Sequence, residues 1–187
     1  MDSINRSSFL GGLFYDSSDS AKVRRAYIEA FIILAVTCIF YSNVFGAAFI
    51  WDDALYITGN RFLYTLDGLK SIWLSRDVSH QYYPLVSTTF WLEWRLWGVN
   101  PAGYHVVNVV LHSINGILLW LVLRRLSVKG ALAIALVFTL HPVNVESVAW
   151  ITERKNVLSA LFYFLSLLSF LSFEDKGKRL YYALSLF

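Results

Sequence analysis

The chain has 187 residues, 57% hydrophobic, 17% aromatic and only 16% charged, with a net charge of +3. Its apolar residues form long uninterrupted blocks, which excludes an ordinary soluble domain and indicates a membrane protein. The basic residues flank those blocks instead of covering a polar surface, so they read as topology signals and not as a nucleic-acid face.

A lone cysteine, Cys38, supports neither a disulfide framework nor a thiolate metal site. Residues 1–25 are expected to be a cytoplasmic lead-in, rich in Ser, Asp and Gly and ending in Lys22, Arg24 and Arg25. The membrane domain is expected over 26–187. Its first span runs over about 26–49, broken only by Glu29 and Ser42-Asn43, with the basic end inside.

The outer loop, 50–103, is unusually aromatic. In Leu66 to Trp73, residues Leu66, Leu69, Ile72 and Trp73 share one helical face, which predicts a helix lying on the membrane. Pro84 to Trp97 predicts a second interfacial helix, with Pro84 in its first turn and Glu93 and Arg95 arguing against a crossing. An aromatic belt at headgroup level accounts for most of the tryptophans.

A second span is expected over 104–123, ended by Arg124-Arg125. His105, Asn108, His112 and Asn115 fall within an arc of about 80° on it. Such a stripe either joins helices by hydrogen bonds or forms a substrate cavity wall. A third span, about 128–141, is short: Lys129 to Leu140 covers roughly 18 Å as a helix. The outer loop 142–156 follows, then a fourth span over 157–173 and the start of another at 180–187. Too few residues remain there for a crossing, so a truncated chain is expected. Arg154 and Lys155 alone among the basic clusters fall outside, and an anionic ligand would explain them.

No phosphate loop, dinucleotide fingerprint or zinc-protease motif is present, nor an internal repeat of 20–50 residues. The outer face instead gathers Asp52-Asp53, the segment His141-Pro142-Val143-Asn144-Val145-Glu146, and Arg154-Lys155. A carboxylate near the bilayer can take a proton from a hydroxyl while a cation steadies a departing phosphate. That chemistry suits sugar transfer from a lipid phosphate. Adjacent residues point apart, so the two acids would differ in role, one being the base and the other orienting the acceptor or binding a divalent ion. Taken alone, an acid pair just outside a span is a solvated membrane edge.

Three segments in series, FIWDDALYITGN, YYPLVSTTFWLEWRLWGVNPAGYHVVNVVLH and HPVNVESVAWITERKNVLSALFYFLSLLSF, resemble the transmembrane O-mannosyltransferases that carry tetratricopeptide repeats, especially their bacterial relatives. The resemblance spans about Ala26 to Phe173. It implies an all-α polytopic membrane protein with the C-type glycosyltransferase fold, here about four complete spans without the repeat domain. It further implies a polyprenyl-phosphate sugar donor, with mannose the first candidate, and a protein Ser or Thr hydroxyl as acceptor. Asp52 and Asp53 take the position of the family's acid pair, with Asp52 favoured. By implication His141, Arg154 and Lys155 bind the donor phosphate, and Glu146, Asn144, His105, Asn108 and His112 line the substrate cavity. No cofactor is implied beyond a candidate divalent metal on Asp52 or Asp53. Where the animal members have an Arg before Pro-Leu this chain has Tyr83, and where they have a second His it has Asn144. The bacterial resemblance points to a cytoplasmic membrane, a eukaryotic host to the endoplasmic reticulum. The alternatives are a non-catalytic membrane scaffold or an inactive fragment of such an enzyme. A transporter finds little support without an inverted repeat.

Overall fold

The computed structural model describes residues 20–76, 78 and 81–186, and every regular element among them is helical. Residues 1–19 of the expected lead-in lie outside these. Helix α1, Ser20–Phe40, starts inside the expected lead-in and stops well short of residue 49. Ser42-Asn43 and Gly46 are poor continuations of a helix, and the chain there tightens into a 3₁₀ turn, Ser42–Gly46. Residues 47–50 have no regular structure and deliver the acid pair.

The described residues of the expected outer loop, 50–103, fold into a compact aromatic unit. A π-helical turn, Ala54–Thr58, follows Asp53, and a 3₁₀ turn, Arg61–Leu63, follows that. Helix α2 spans Leu66–Leu74, its first turn capped by the Thr65 hydroxyl accepting from the Gly68 amide at 3.1 Å. Helix α3 spans Pro84–Trp97, with Pro84 at its first turn as expected. Phe90 and Trp91 of α3 pack with Ile57, Leu63, Ile72 and Tyr104 in one buried cluster. Gly68 is required at its position, since a Cβ would lie 1.8 Å from the Phe62 carbonyl oxygen.

Helix α4, Pro101–Arg125, is the central element. The Asn100 side chain caps it by accepting from the Ala102 amide at 3.1 Å, and Pro101 opens it. Around it pack α1, α5 (Ala131–Leu140) and α7 (Arg154–Lys176). Gly116 lets α4 approach α5 and α1, because a Cβ there would meet Thr139 Cγ2 at 2.2 Å and Ile33 Cγ2 at 3.0 Å. Between α5 and α7 come a 3₁₀ turn, Pro142–Asn144, a short helix α6, Val145–Ala149, and a second 3₁₀ turn, Ile151–Glu153. Gly177, at φ 64°, closes α7 in the left-handed conformation that glycine supplies without a Cβ penalty, and α8, Arg179–Leu184, follows.

Two helical segments, Pro101–Arg125 and Ile151–Lys176, are long and apolar enough to cross a membrane. A third crossing results if Ala131–Leu140 and Pro142–Ala149, bent by 48°, count as one broken span. The described residues therefore offer two or three crossings by length and composition where the sequence suggests four. The first helix falls short because Lys22, Arg24, Arg25 and Glu29 occupy its opening turns. The basic helix ends do share one face of the bundle: Glu29 of α1 pairs with Arg124 of α4 at 3.7 Å, and Arg125 of α4 pairs with Asp175 of α7. Asp52 and the segment around Thr152 meet at the opposite end.

Candidate functional site

The acid pair is held by the segment that lies between α6 and α7. Asp52 Oδ1 accepts from Thr152 Oγ1 at 2.8 Å and from Trp150 Nε1 at 3.1 Å. Asp53 accepts from the Thr152 amide on Oδ1 and the Ile50 amide on Oδ2, both at 3.0 Å. The two carboxylates thus part company. Asp53 is fully buried with both oxygens committed to backbone amides, whereas Asp52 is half-buried and its Oδ2 makes no hydrogen bond among the described residues. Burial pushes the Asp53 carboxyl above its ordinary value, the two amide bonds pull it back, and the charge of Asp52 adds to the upward shift.

The local backbone is unusual on both sides of the pair. Trp51 has φ 46°, a region that a bulky residue adopts only when its surroundings over-determine it. Those surroundings include the Trp150 ring, packed edge-on with centroids 4.6 Å apart. The π turn over Ala54–Thr58 places Tyr56 within electrostatic reach of Asp52, Lys155 and Tyr83. Burial and the Asp52 charge raise the Tyr56 hydroxyl, and Lys155 partly offsets them.

Lys155 borders a cavity of about 230 Å³ between the starts of α3 and α7, walled by Tyr82, Tyr83, Val86, Leu158 and Phe162. Its ammonium pairs with Glu153 and lies 5.8 Å from the centre of the Tyr83 ring. One face of this cavity is apolar and aromatic, and its rim carries a partly exposed cation.

Arg154 is placed differently from the phosphate ligand expected of it. Its side chain is fully buried and ion-paired to Glu93 of α3. It also donates to Asn108 Oδ1 at 2.7 Å, the Tyr104 carbonyl at 2.9 Å and Thr89 Oγ1 at 3.0 Å. Its guanidinium stands 4.6 Å from the Phe90 ring centre. Every arm of the fork is engaged, so this cation ties α3, α4 and α7 together and is not presented to a ligand. The topology anomaly has an internal cause: Glu93 compensates Arg154, and Glu153 compensates Lys155.

The remaining expected site residues fall into two groups. Asn108, His105 and His112 are buried in the bundle and do not line the cavity at Lys155. Asn108 Nδ2 lies 3.3–3.4 Å from the Val148, Trp150 and Ile151 carbonyls, and His112 Nε2 is 3.0 Å from the Thr139 carbonyl. His105 lies beside the backbone of Ala47, Ala48 and Ala149, with no hydrogen bond of good geometry among the described residues. The stripe therefore joins helices, as Asn115 does by donating to the Val157 carbonyl at 2.8 Å. His141, Asn144 and Glu146 sit at the bend after α5. His141 Nδ1 accepts from the Val143 amide at 3.2 Å, and Asn144 Nδ2 caps the end of α5 by donating to the Phe138 carbonyl at 2.7 Å. Glu146 is exposed, and none of the three bonds to the acid pair among the described residues.

For a divalent ion the acid pair offers Asp52 alone, through its Oδ2. Both Asp53 oxygens are occupied by amides, and no group of three or more His, Cys, Asp or Glu that could hold a metal exists among the described residues.

Trp150, Thr152, Tyr56 and Glu93 escaped sequence reasoning. For Glu93 a signal existed: an acid inside an aromatic helix and an arginine that defies the topology rule are two anomalies that answer one another. For Trp150 and Thr152 there was none beyond their nearness to Arg154.

What emerges is an all-helical membrane protein that holds one anchored, half-exposed carboxylate at the end of its bundle opposite the basic cluster. The chain is homologous to proteins named protein O-mannosyl-transferases, which match the family its three motifs resemble. It is 30% identical to protein O-mannosyl-transferase TMTC3 of Mus musculus, over 76% of this chain and 16% of the relative. It is 31% identical to a Caenorhabditis elegans protein O-mannosyl-transferase, over 79% of this chain and 24% of the relative. It is also 31% identical to protein O-mannosyl-transferase TMTC4 of Homo sapiens, over 79% and 23% respectively. The chain thus spans between about a sixth and a quarter of the length of these relatives. All three come from animals, which lends no support to the expected bacterial membrane. No family model matches the chain, and no solved structure does.

Proposed function

We propose that this chain is the membrane part of a glycosyltransferase moving a sugar, mannose by analogy with the names of its relatives, from a polyprenyl phosphate to a protein Ser or Thr hydroxyl. The observation that carries this reading is the asymmetry of the acid pair. Asp52 is anchored by Trp150 and Thr152 through one oxygen, while Asp53 is spent on backbone amides.

Asp52 Oδ2 takes the proton of the acceptor hydroxyl. The hydroxyl oxygen then forms a bond to the anomeric carbon of the sugar, and the bond from that carbon to the phosphate oxygen breaks with its electron pair leaving on the phosphate. Lys155, at the rim of the apolar cavity, steadies that departing charge, and the cavity wall of Leu158 and Phe162 accepts the first isoprene units. Tyr56, whose hydroxyl feels the charges of both Asp52 and Lys155, is the further polar group near them. Asp53 positions Asp52 and the Thr152 segment. Arg154 keeps α3 in place and takes no part in the chemistry.

The test is a transfer assay on the native protein in membranes, with radiolabelled polyprenyl-phosphate mannose and a Ser/Thr-containing acceptor. Transfer that Asp52→Asn abolishes, with the protein still folded, is the expected result. Unchanged transfer by Asp52→Asn would sink the assignment. A second reading, a non-catalytic membrane scaffold, is favoured by the buried Arg154–Glu93 knot and would lead if the native protein transfers no sugar from any polyprenyl phosphate.

A further inference from the structure

The basic end of the bundle holds a second cavity, of about 390 Å³, among the start of α1, the end of α4 and the first turn of α5. Its polar wall is Lys22, Arg25, Glu29, Trp120 and Arg124, and its apolar wall includes Val128 and Leu132. Glu29 organises it. That mostly buried carboxylate accepts from Arg25 Nε at 2.7 Å and Trp120 Nε1 at 3.1 Å and pairs with Arg124 Nη1 at 3.7 Å. The Arg124 guanidinium lies 4.9 Å from the centre of the Trp120 ring. Two arginines, Arg25 and Arg124, thus share the single Glu29 carboxylate, leaving more positive than negative charge on that group of three in a concave site.

We propose that this cavity binds the phosphate of an anionic membrane lipid. Arginine forks match phosphate oxygens in pairs, and Arg25 and Arg124 are spaced by their shared Glu29. The first turn of α5 adds amides with no side-chain cap, behind Gly130 at φ 78°, where the space around an added Cβ is open. Lipid is favoured over soluble phosphate because the site sits at the end of a membrane-crossing helix, α4, where basic pockets between helices meet headgroups, and because Val128 and Leu132 give the glycerol and first methylenes an apolar wall. The site lies at the opposite end from Asp52, and the inference does not depend on sugar transfer.

The experiment uses the full chain in neutral detergent micelles, with dioleoyl phosphatidic acid, dioleoyl phosphatidylcholine or inorganic phosphate added. Lipid retention is read by native mass spectrometry and thermal stabilisation by a melting curve. One phosphatidic acid per chain, a raised Tm, no retained phosphatidylcholine and only weak competition by inorganic phosphate are expected. Arg25→Gln and Arg124→Gln should each weaken phosphatidic acid about fivefold, the effect of the ~1 kcal/mol that one cation contributes near a charged surface. Lys178→Gln, on the same basic end but outside the cavity, should change it less than twofold. Equal retention of both lipids, inorganic phosphate binding as tightly as phosphatidic acid, or Lys178→Gln weakening it as much as Arg25→Gln would each overturn the proposal. Should Arg124→Gln fail to fold, Arg25→Gln decides alone, since its side chain is 79% exposed.

Discussion

Arg154 at the start of α7 and Glu93 in the middle of α3 form a fully buried ion pair across 61 residues of sequence. Through it α3 is fastened to the bundle, and Asn108 of α4 joins the same guanidinium. Burying two charges costs more than their attraction returns unless the remaining donors and acceptors are satisfied; Thr89, Asn108 and the Tyr104 carbonyl satisfy the arginine, while Glu93 Oε2 has no hydrogen bond among the described residues. Removing one partner is then far more damaging than removing both. Glu93→Gln and Arg154→Met should each destabilise the fold by about 3–5 kcal/mol, and the double variant by clearly less than their sum. Melting curves of the three variants in one detergent would show it, and additive losses would mean the pair is not coupled.

The two aspartates should separate activity from stability. Asp52→Asn keeps an acceptor for Trp150 and Thr152 and should melt close to the parent while losing transfer. Asp53→Ala strands the Ile50 and Thr152 amides, at about 1–3 kcal/mol for each buried group left unsatisfied, and should lower the Tm markedly. Parallel melting and transfer measurements on the two variants make the comparison, which fails if Asp52→Asn is the one that unfolds.

A pH dependence follows from Asp53. Burial raises its folded-state carboxyl above the ordinary 3.8, so between that value and the raised one the folded chain holds a proton that the unfolded chain has lost. The native state binds more protons there, and stability falls as pH rises through the window, then levels off above it. Asp53→Asn should remove that slope. Melting the parent and the variant from pH 4 upward tests the sign, and a parent gaining stability relative to the variant as pH rises would contradict it.

Three glycines should rank by what surrounds them. Gly68→Ala drives a Cβ against the Phe62 backbone, which cannot step aside, and should cost at least about 1–3 kcal/mol. At Gly116 the nearest atom is a Thr139 side-chain methyl, so Ala should cost less, and at Gly46 nothing lies within 4 Å, so Ala should be neutral. Thermal unfolding of the three variants gives the order, and a tolerated Gly68→Ala would show that the turn at Phe62 is looser than its geometry.

Much of this was legible in local chemistry. Helices over Leu66 to Trp73 and Pro84 to Trp97 followed from apolar spacing and a proline at the first turn, because helix formation responds to neighbours three and four residues away, and the structure has them at Leu66–Leu74 and Pro84–Trp97. Alternation of apolar blocks placed Asp52 and Thr152 at one end and the basic helix ends at the other, since a membrane converts sequence order into sidedness. Even the polar stripe on α4 was visible, though whether it faced helices or a cavity was not. Tertiary structure alone decided what each charged group does. Arg154 and Lys155 are neighbours with the same charge, yet one is sealed against Glu93 and the other stands at the rim of a cavity. Asp52 and Asp53 likewise differ through Trp150 and Thr152, about a hundred residues further on. Charge interactions are set by distance and burial, neither of which is encoded between adjacent residues, and so roles that depend on them appear only once the helices have packed.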